Sequence, residues 1–381
     1  MDTSTTLFPS DAVSLTKQLI RFESINPPGN EDEILAFLKE WLIHFGFECE
    51  RTEFGPGRGN LIARFGPQDN PICLSGHLDV VPLGAQPWTR PAFEPQIDGD
   101  RLYGRGSSDM KAGVAAMLQA CLEFTKSIST EAVKRGILII LTGGEETGCD
   151  GARSLVNHLK QRVGLLLIPE PSSNRPLIGH KGALWLRLKV KGITSHGSMP
   201  ERGDNAVYRL ANVVRALAQA EWPGESHPVL GKTTLNVGRV GGGLNINSVP
   251  DEAWADIDIR TVGTIDHEQV KDWVHKTAGE KVSLEPIIDL PAVLTPESNR
   301  EIQQALQDIS LVVGSQNVGT VSYFTDGAIL KPLLGDCPFM VIGPGEAHMA
   351  HQTDEYCLIS KIQEAVSLYR GILTGYCLAN S

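Results

Sequence analysis

No Cys-x-x-Cys pair occurs in this chain of 381 residues, and its seven cysteines are an odd number at scattered positions (49, 73, 121, 149, 337, 357 and 377). A disulfide framework is therefore disfavoured, and a reducing, cytoplasmic setting is expected. No apolar run approaches the roughly 18 residues that a membrane span needs, so no membrane partner is expected. Residues 1–9 lack a basic segment followed by an apolar one, which argues against a secretory leader. Positive charge is also short: 34 Lys and Arg stand against 45 Asp and Glu, a net charge of −11. Nucleic acids and anionic membranes are held through basic patches, so neither fits as a main partner. The rest of the composition, 41% hydrophobic and 21% charged, is that of an ordinary globular protein, long enough for two domains.

The pattern of elements points to an α/β fold. Residues 10–22 carry apolar positions at helical spacing. Asn30 and Glu33 form a capping-box pattern before a second helix, whose apolar face runs from Ile34 to Phe45 and which Gly46 ends. Strand-like runs follow at 47–53, 60–65 and 71–76, then a long loop at 82–109 and a helix from about Met110. The runs 136–142 and 164–168 are apolar throughout, as expected of strands covered on both faces. From about 180 the texture changes. An alternating strand at 183–190, a helix at 204–220, strands at 233–240 and 252–260, a helix at 266–278 and a strand at 281–287 follow the split βαβ order. The expectation is a discontinuous catalytic domain, 1–179 and 292–381, with an inserted ferredoxin-like α+β domain at 180–291. In the returning part, a helix at 299–312, a strand at 338–342 and a last helix at 355–374 are expected.

Polar groups recur where these buried strands end. The strand at 71–76 delivers His77 and Asp79, a spacing that suits an imidazole ligand and the carboxylate that orients it. Asp109 opens the helix after the long loop; it is either an N-cap or a ligand, and the glycines flanking Arg105 suggest a backbone crowded against something. Glu145 and Glu146 follow one apolar strand and Glu170 another, while His351 lies in the loop after the strand at 338–342. Adjacent acids at the end of a buried strand are costly without a nearby cation. Open α/β sheets bind ligands beyond the carboxyl ends of their strands, which is where all these residues fall.

The ordered motifs Ser-Gly-His-Leu-Asp-Val-Val-Pro, Gly-Arg-Gly-Ser-Ser-Asp-Met-Lys, Gly-Glu-Glu-Thr-Gly, Glu-Pro-Ser and His-Gln-Thr-Asp-Glu-Tyr resemble those of one family along nearly the whole chain. It is the dinuclear-zinc hydrolases that include acetylornithine deacetylase, succinyl-diaminopimelate desuccinylase, aminoacylase and glutamate carboxypeptidase. The resemblance implies a zinc-exopeptidase-like catalytic domain with a mixed central sheet flanked by helices. It implies two Zn²⁺, which Co²⁺ or Mn²⁺ could replace given oxygen and nitrogen ligands. His77 and Glu170 would hold one ion and Glu146 and His351 the other, with Asp109 bridging. Asp79 would orient His77, and Glu145 would be the general base. His348 competes with His351, which has the better motif context.

The insertion resembles the family's lid and dimerisation domain, so a homodimer is expected. His196, in Thr-Ser-His-Gly-Ser-Met-Pro, matches the histidine that polarises the scissile carbonyl, in its own or the partner subunit's site; otherwise it caps a turn. Asn247 and Arg260 match positions that hold the substrate carboxylate, a bidentate task that suits Arg, although Arg260 could be a solvated strand residue. The chain departs from the family at Ala112, usually Gly, at Gly143-Gly144, usually Ala-Asp, and at Gly197, usually Ser. The expected activity is hydrolysis of an N-acyl-L-amino acid, most like acetylornithine deacetylase. A desuccinylase or a carboxypeptidase or dipeptidase on a short peptide is the alternative. A non-catalytic binding protein on this fold is disfavoured because every expected ligand and the base are present. A barrel amidohydrolase would need His-x-His where this chain has His77-x-Asp79.

Overall fold

The computed structural model describes residues 8–379, so most of the segment read above for a secretory leader lies outside the described residues. Two compact units form. One comprises the chain up to Gly179, residues 294–319 and the chain from Thr325 onward; the other comprises 180–293 with 320–324.

The first unit is built on a mixed sheet. Seven of its nine strands are β1 (Glu48–Gly55), β2 (Arg58–Phe65), β3 (Ile72–His77), β4 (Ile137–Thr142), β5 (Leu165–Ile168), β6 (Leu177–His180) and β7 (Phe339–Val341), in the order β1-β2-β4-β3-β5-β7-β6. The pairs β4–β3, β3–β5 and β5–β7 are parallel, whereas β1–β2, β2–β4 and β7–β6 are antiparallel. Every residue of β3, β4 and β5 is buried, which is why these segments read as unbroken apolar runs. Helices Ala12–Ile20, Ala112–Ser127, Arg300–Val313 and Ile359–Leu378 pack on one another, and Asp32–His44 packs on β1 and β2.

Several local expectations are corrected. The second helix starts at Asp32, not after an Asn30 cap, and has no side-chain capping bond; Glu31 at the cap position turns instead to Arg58, Nε to Oε2 2.9 Å. The helix after the long loop begins at Ala112, because Asp109 (φ −118°, ψ 94°) is not helical and caps nothing. The long loop carries a hairpin, Gln96–Asp98 with Arg101–Tyr103, to which Tyr356–Leu358 adds a third strand. That pairing delays the last helix to Ile359 rather than 355.

The second unit holds a four-stranded antiparallel sheet of Gly182–Lys191, Thr234–Gly242, Glu252–Thr261 and Val282–Leu290. In sequence order its strands lie second, third, first, fourth, the ferredoxin-like arrangement. Helices Ala206–Gln219 and His267–Ala278 pack on each other and on the sheet, around Leu184, Leu186, Leu188, Ile257 and Ile259. Asn205 caps the first helix, accepting from the N–H of Val207 and Tyr208. Segment 320–324 belongs to this unit although the sequence suggests only 180–291. Phe324 stacks edge-on to Trp185, with centroids 6.3 Å apart, and that apolar contact outweighs chain proximity.

Candidate metal centre

Strand β3 ends on His77, the loops after β4, β5 and β7 carry Glu145 with Glu146, Glu170 and His351, and Asp109 comes from the turn before helix Ala112–Ser127. Tight packing sets that turn in place. A Cβ on Gly113 would stand 2.1 Å from the Pro169 carbonyl oxygen, so only glycine lets this helix start beside Glu170. Asp109 Oδ1 lies 3.2 Å from His77 Nε2 and its Oδ2 lies 3.4 Å from His351 Nε2. Glu170 Oε1 is 3.7 Å from His77 Nε2, and Glu146 Oε2 is 3.2 Å from His351 Nε2. One carboxylate thus spans two imidazoles, each with a carboxylate of its own. His348 stands apart, exposed, with Nδ1 3.7 Å from Glu346.

The electrostatics are those of a cation site. Burial pushes the Glu170 and Glu145 carboxyls well above the usual range, and neighbouring acids add to the shift. Burial and the Asp109 charge raise Glu146 as well. Burial lowers the His77 imidazole, but its bond to Asp109 and the charges of Glu170, Glu145 and Asp79 carry it well above the usual value. His351 is pushed up to about 10 by Asp109 and then Glu146. Burial would raise Asp109, yet both histidines hold it down. His77, Asp109 and Glu146 offer ligand atoms within 4.8 Å of one another, and buried Glu146 Oε1 has no protein partner. Oxygen and nitrogen donors in this density, with an unpaired buried oxygen, fit a hard or borderline divalent ion.

Asp79 faces both His77 and the paired glutamates. The His77 Nδ1 bond goes to its backbone carbonyl at 3.0 Å, while the carboxylate Oδ1 is 3.6 Å away. That carboxylate accepts instead from the N–H of Glu145 and Glu146, each at 3.2 Å, and from Asn26 Nδ2 at 2.8 Å. It therefore pins the paired glutamates. In the second unit His196 is exposed, with Nδ1 2.7 Å from Ser198 Oγ, and Gly197 N donates to the carbonyl of exposed Asn247 at 2.7 Å. Arg260 pairs with Asp258, Nε to Oδ1 2.9 Å, so the structure brings His196 and Asn247 together but engages Arg260 elsewhere.

Other residues were not legible as site members. Buried Glu355 contacts Arg105 and the turn that carries Asp109. Its signal was there, four residues past His351. Thr142 Oγ1 donates to buried Asp326 at 2.5 Å, in a Phe-Thr-Asp-Gly stretch without periodicity. Lys111 is buried, donates to the Phe22 carbonyl at 2.8 Å and is lowered to about 7 by that burial. Nothing in the sequence singles it out beyond its place two residues after Asp109.

The model of peptidase family M20/M25/M40 matches residues 73–375. The chain belongs to this family. It is a metal-dependent hydrolase, an M20 amidohydrolase. A protein of Staphylococcus epidermidis named probable succinyl-diaminopimelate desuccinylase is 29% identical, over 98% of this chain and 99% of the relative. An acetylornithine deacetylase of Aliivibrio fischeri is 30% identical, over 91% of this chain and 92% of its own. Among solved structures, an M20 family metallo-carboxypeptidase from Sulfolobus solfataricus superposes with a TM-score of 0.81 at 19% identity, covering 97% of this chain and all of the other. The M20 enzyme thus has the α/β fold, with a mixed central sheet flanked by helices, that the resemblance implied.

Proposed function

We propose that this M20 enzyme cleaves the amide of an N-acyl-L-amino acid at a pair of divalent cations, zinc in the first instance, in the manner of an acetylornithine deacetylase. The observation that carries this is Asp109, one carboxylate set between His77 and His351. His77 and Glu170 would hold one ion, Glu146 and His351 the other, and Asp109 both. Ions held there would supply Lewis acidity, which lowers the pKa of bound water and polarises an acyl carbonyl. Glu145, buried and free of both histidines, is the residue suited to take the water's proton and pass it to the leaving amine. Asp79 fixes the backbone of both glutamates by accepting from their N–H groups. His196 would polarise the scissile carbonyl, and Asn247 and Arg260 would hold the substrate carboxylate; for Arg260 that means exchanging Asp258 for the substrate.

A second substrate reading is an N-succinyl amino acid, since a relative named probable succinyl-diaminopimelate desuccinylase is as similar to this chain as the deacetylase. A short peptide remains the third. A homodimer through the second unit is part of the proposal. Strand Thr234–Gly242 lies at a sheet edge, and Val240, Leu244, Ile246 and Tyr208 are exposed around it. A cytoplasmic setting is supported by seven free thiols. Among the described residues no helix is long and apolar enough to cross a membrane. Purified protein tested on N-acetyl, N-succinyl and dipeptide substrates, before and after chelation and reloading with Zn²⁺ or Co²⁺, decides among these. Turnover of none of them by the loaded protein would sink the reading.

A further inference from the structure

Glu355 is fully buried, and all its acceptor capacity faces the turn that carries Asp109. Its Oε1 accepts from Ser108 N at 2.7 Å and from Asp109 N at 3.0 Å. Its Oε2 accepts from Gly106 N at 2.9 Å and from Arg105 Nη1 at 2.7 Å. The N–H groups of a turn whose Gly106 is left-handed (φ +82°) thus converge on one carboxylate, as in an anion-binding nest. The same stretch holds the segment that follows His351. Arg105 Nη1 also donates to the Gln352 carbonyl at 3.3 Å, and Ser108 Oγ to the Tyr356 carbonyl at 2.7 Å. Asp354 receives the N–H and hydroxyl of Thr89, both at 2.9 Å. His351 and Asp354 sit in left-handed backbone (φ 64° and 55°), a conformation that surrounding bonds must hold.

A simple counter-ion for Arg105 would not need this arrangement. Only one of the four bonds goes to Arg105; the other three go to backbone, one of them on Asp109 itself. We propose that Glu355 is a positioning residue that sets the Asp109 carboxylate in register with His351, so that both halves of the metal cluster form together. The proposal rests on the dinuclear reading above. Through it, one segment, 351–356, supplies a ligand to one ion and fixes the ligand that both ions share.

The test uses the full chain, stripped of metal and titrated with Zn²⁺ and with Co²⁺, as wild type, Glu355→Gln and Glu355→Asp. Glutamine keeps the shape but presents an NH₂ to N–H donors. The expected result is a folded Gln variant, by circular dichroism, whose Zn²⁺ affinity is about 10–100-fold weaker and whose Co²⁺ visible spectrum is altered. The Asp variant, which keeps the charge, should recover part of both. A folded Gln variant with wild-type affinity and spectrum would overturn the proposal. So would failure of both variants to fold, which makes Glu355 a folding residue only. If the wild type binds neither ion, the dinuclear reading fails first and takes this proposal with it, a result visible before any variant is made.

Discussion

Asp109 and His351 face each other across 3.4 Å, Oδ2 to Nε2, although their numbers in the chain differ by 242. The other Asp109 oxygen serves His77. A residue placed in this way must affect both halves of the site.

Asp109→Asn should therefore leave a folded chain that binds at least one metal ion fewer than wild type and has lost activity. Elemental analysis of dialysed protein checks it. A variant that retains the full metal complement and most of its turnover would show that Asp109 does not bridge.

Glu145→Gln separates base from ligand. The metal content should stay at the wild-type level while kcat falls about 10²–10⁴-fold, the usual contribution of a positioned proton acceptor. Loss of metal together with activity would instead assign Glu145 to the ligand set.

His196→Ala should lower kcat with metal retained. Should the partner subunit provide this histidine, mixing His196→Ala with Glu145→Gln and allowing subunits to exchange restores part of the activity. The mixed dimer then has one site with both residues. No recovery in exchanged, dimeric protein would place His196 in its own chain's site.

His180 gives a pH dependence away from the cluster. Burial lowers its imidazole to about 4, with Nδ1 2.9 Å from the Lys181 carbonyl oxygen. The unfolded chain takes up this proton near the ordinary value of about 6.5, whereas the folded chain refuses it until about 4. Stability from His180 is thus present at neutral pH and is lost as pH falls from about 6.5 towards 4. At pH 5 the loss is on the order of 2 kcal/mol. Denaturant unfolding at pH 7.5 and pH 5 should show a smaller drop for His180→Asn than for wild type. Equal drops would mean that the imidazole is charged in the folded chain.

The apolar runs at β3, β4 and β5 were legible because strands covered on both faces leave no room for alternation. The βαβ–βαβ order of the second unit was legible for the complementary reason. Gly182–Lys191 alternates buried with half-buried residues as a one-sided strand must. Helix starts were less so. The cap pattern at Asn30 gave way to the Glu31–Arg58 pair, and the expected start at Met110 moved to Ala112 because Asp109 faces two histidines. Local signals describe a chain segment alone, and these segments answer to partners far away in sequence.

The sequence by itself determined which chemistry is present: two imidazoles and several carboxylates, most of them following an apolar strand, in an order shared with one family. Ligand type and strand period are local properties, so composition and spacing carry them. Tertiary structure decided who meets whom. That the Asp79 carboxylate holds the N–H groups of the paired glutamates while facing His77, that Arg260 is engaged by Asp258, and that Glu355 gathers the N–H groups of the Asp109 turn depend on hydrogen-bond geometry between segments far apart in sequence, or on rotamers that a sequence does not specify. Such bonds are set only when the sheet has brought the ends of its strands together.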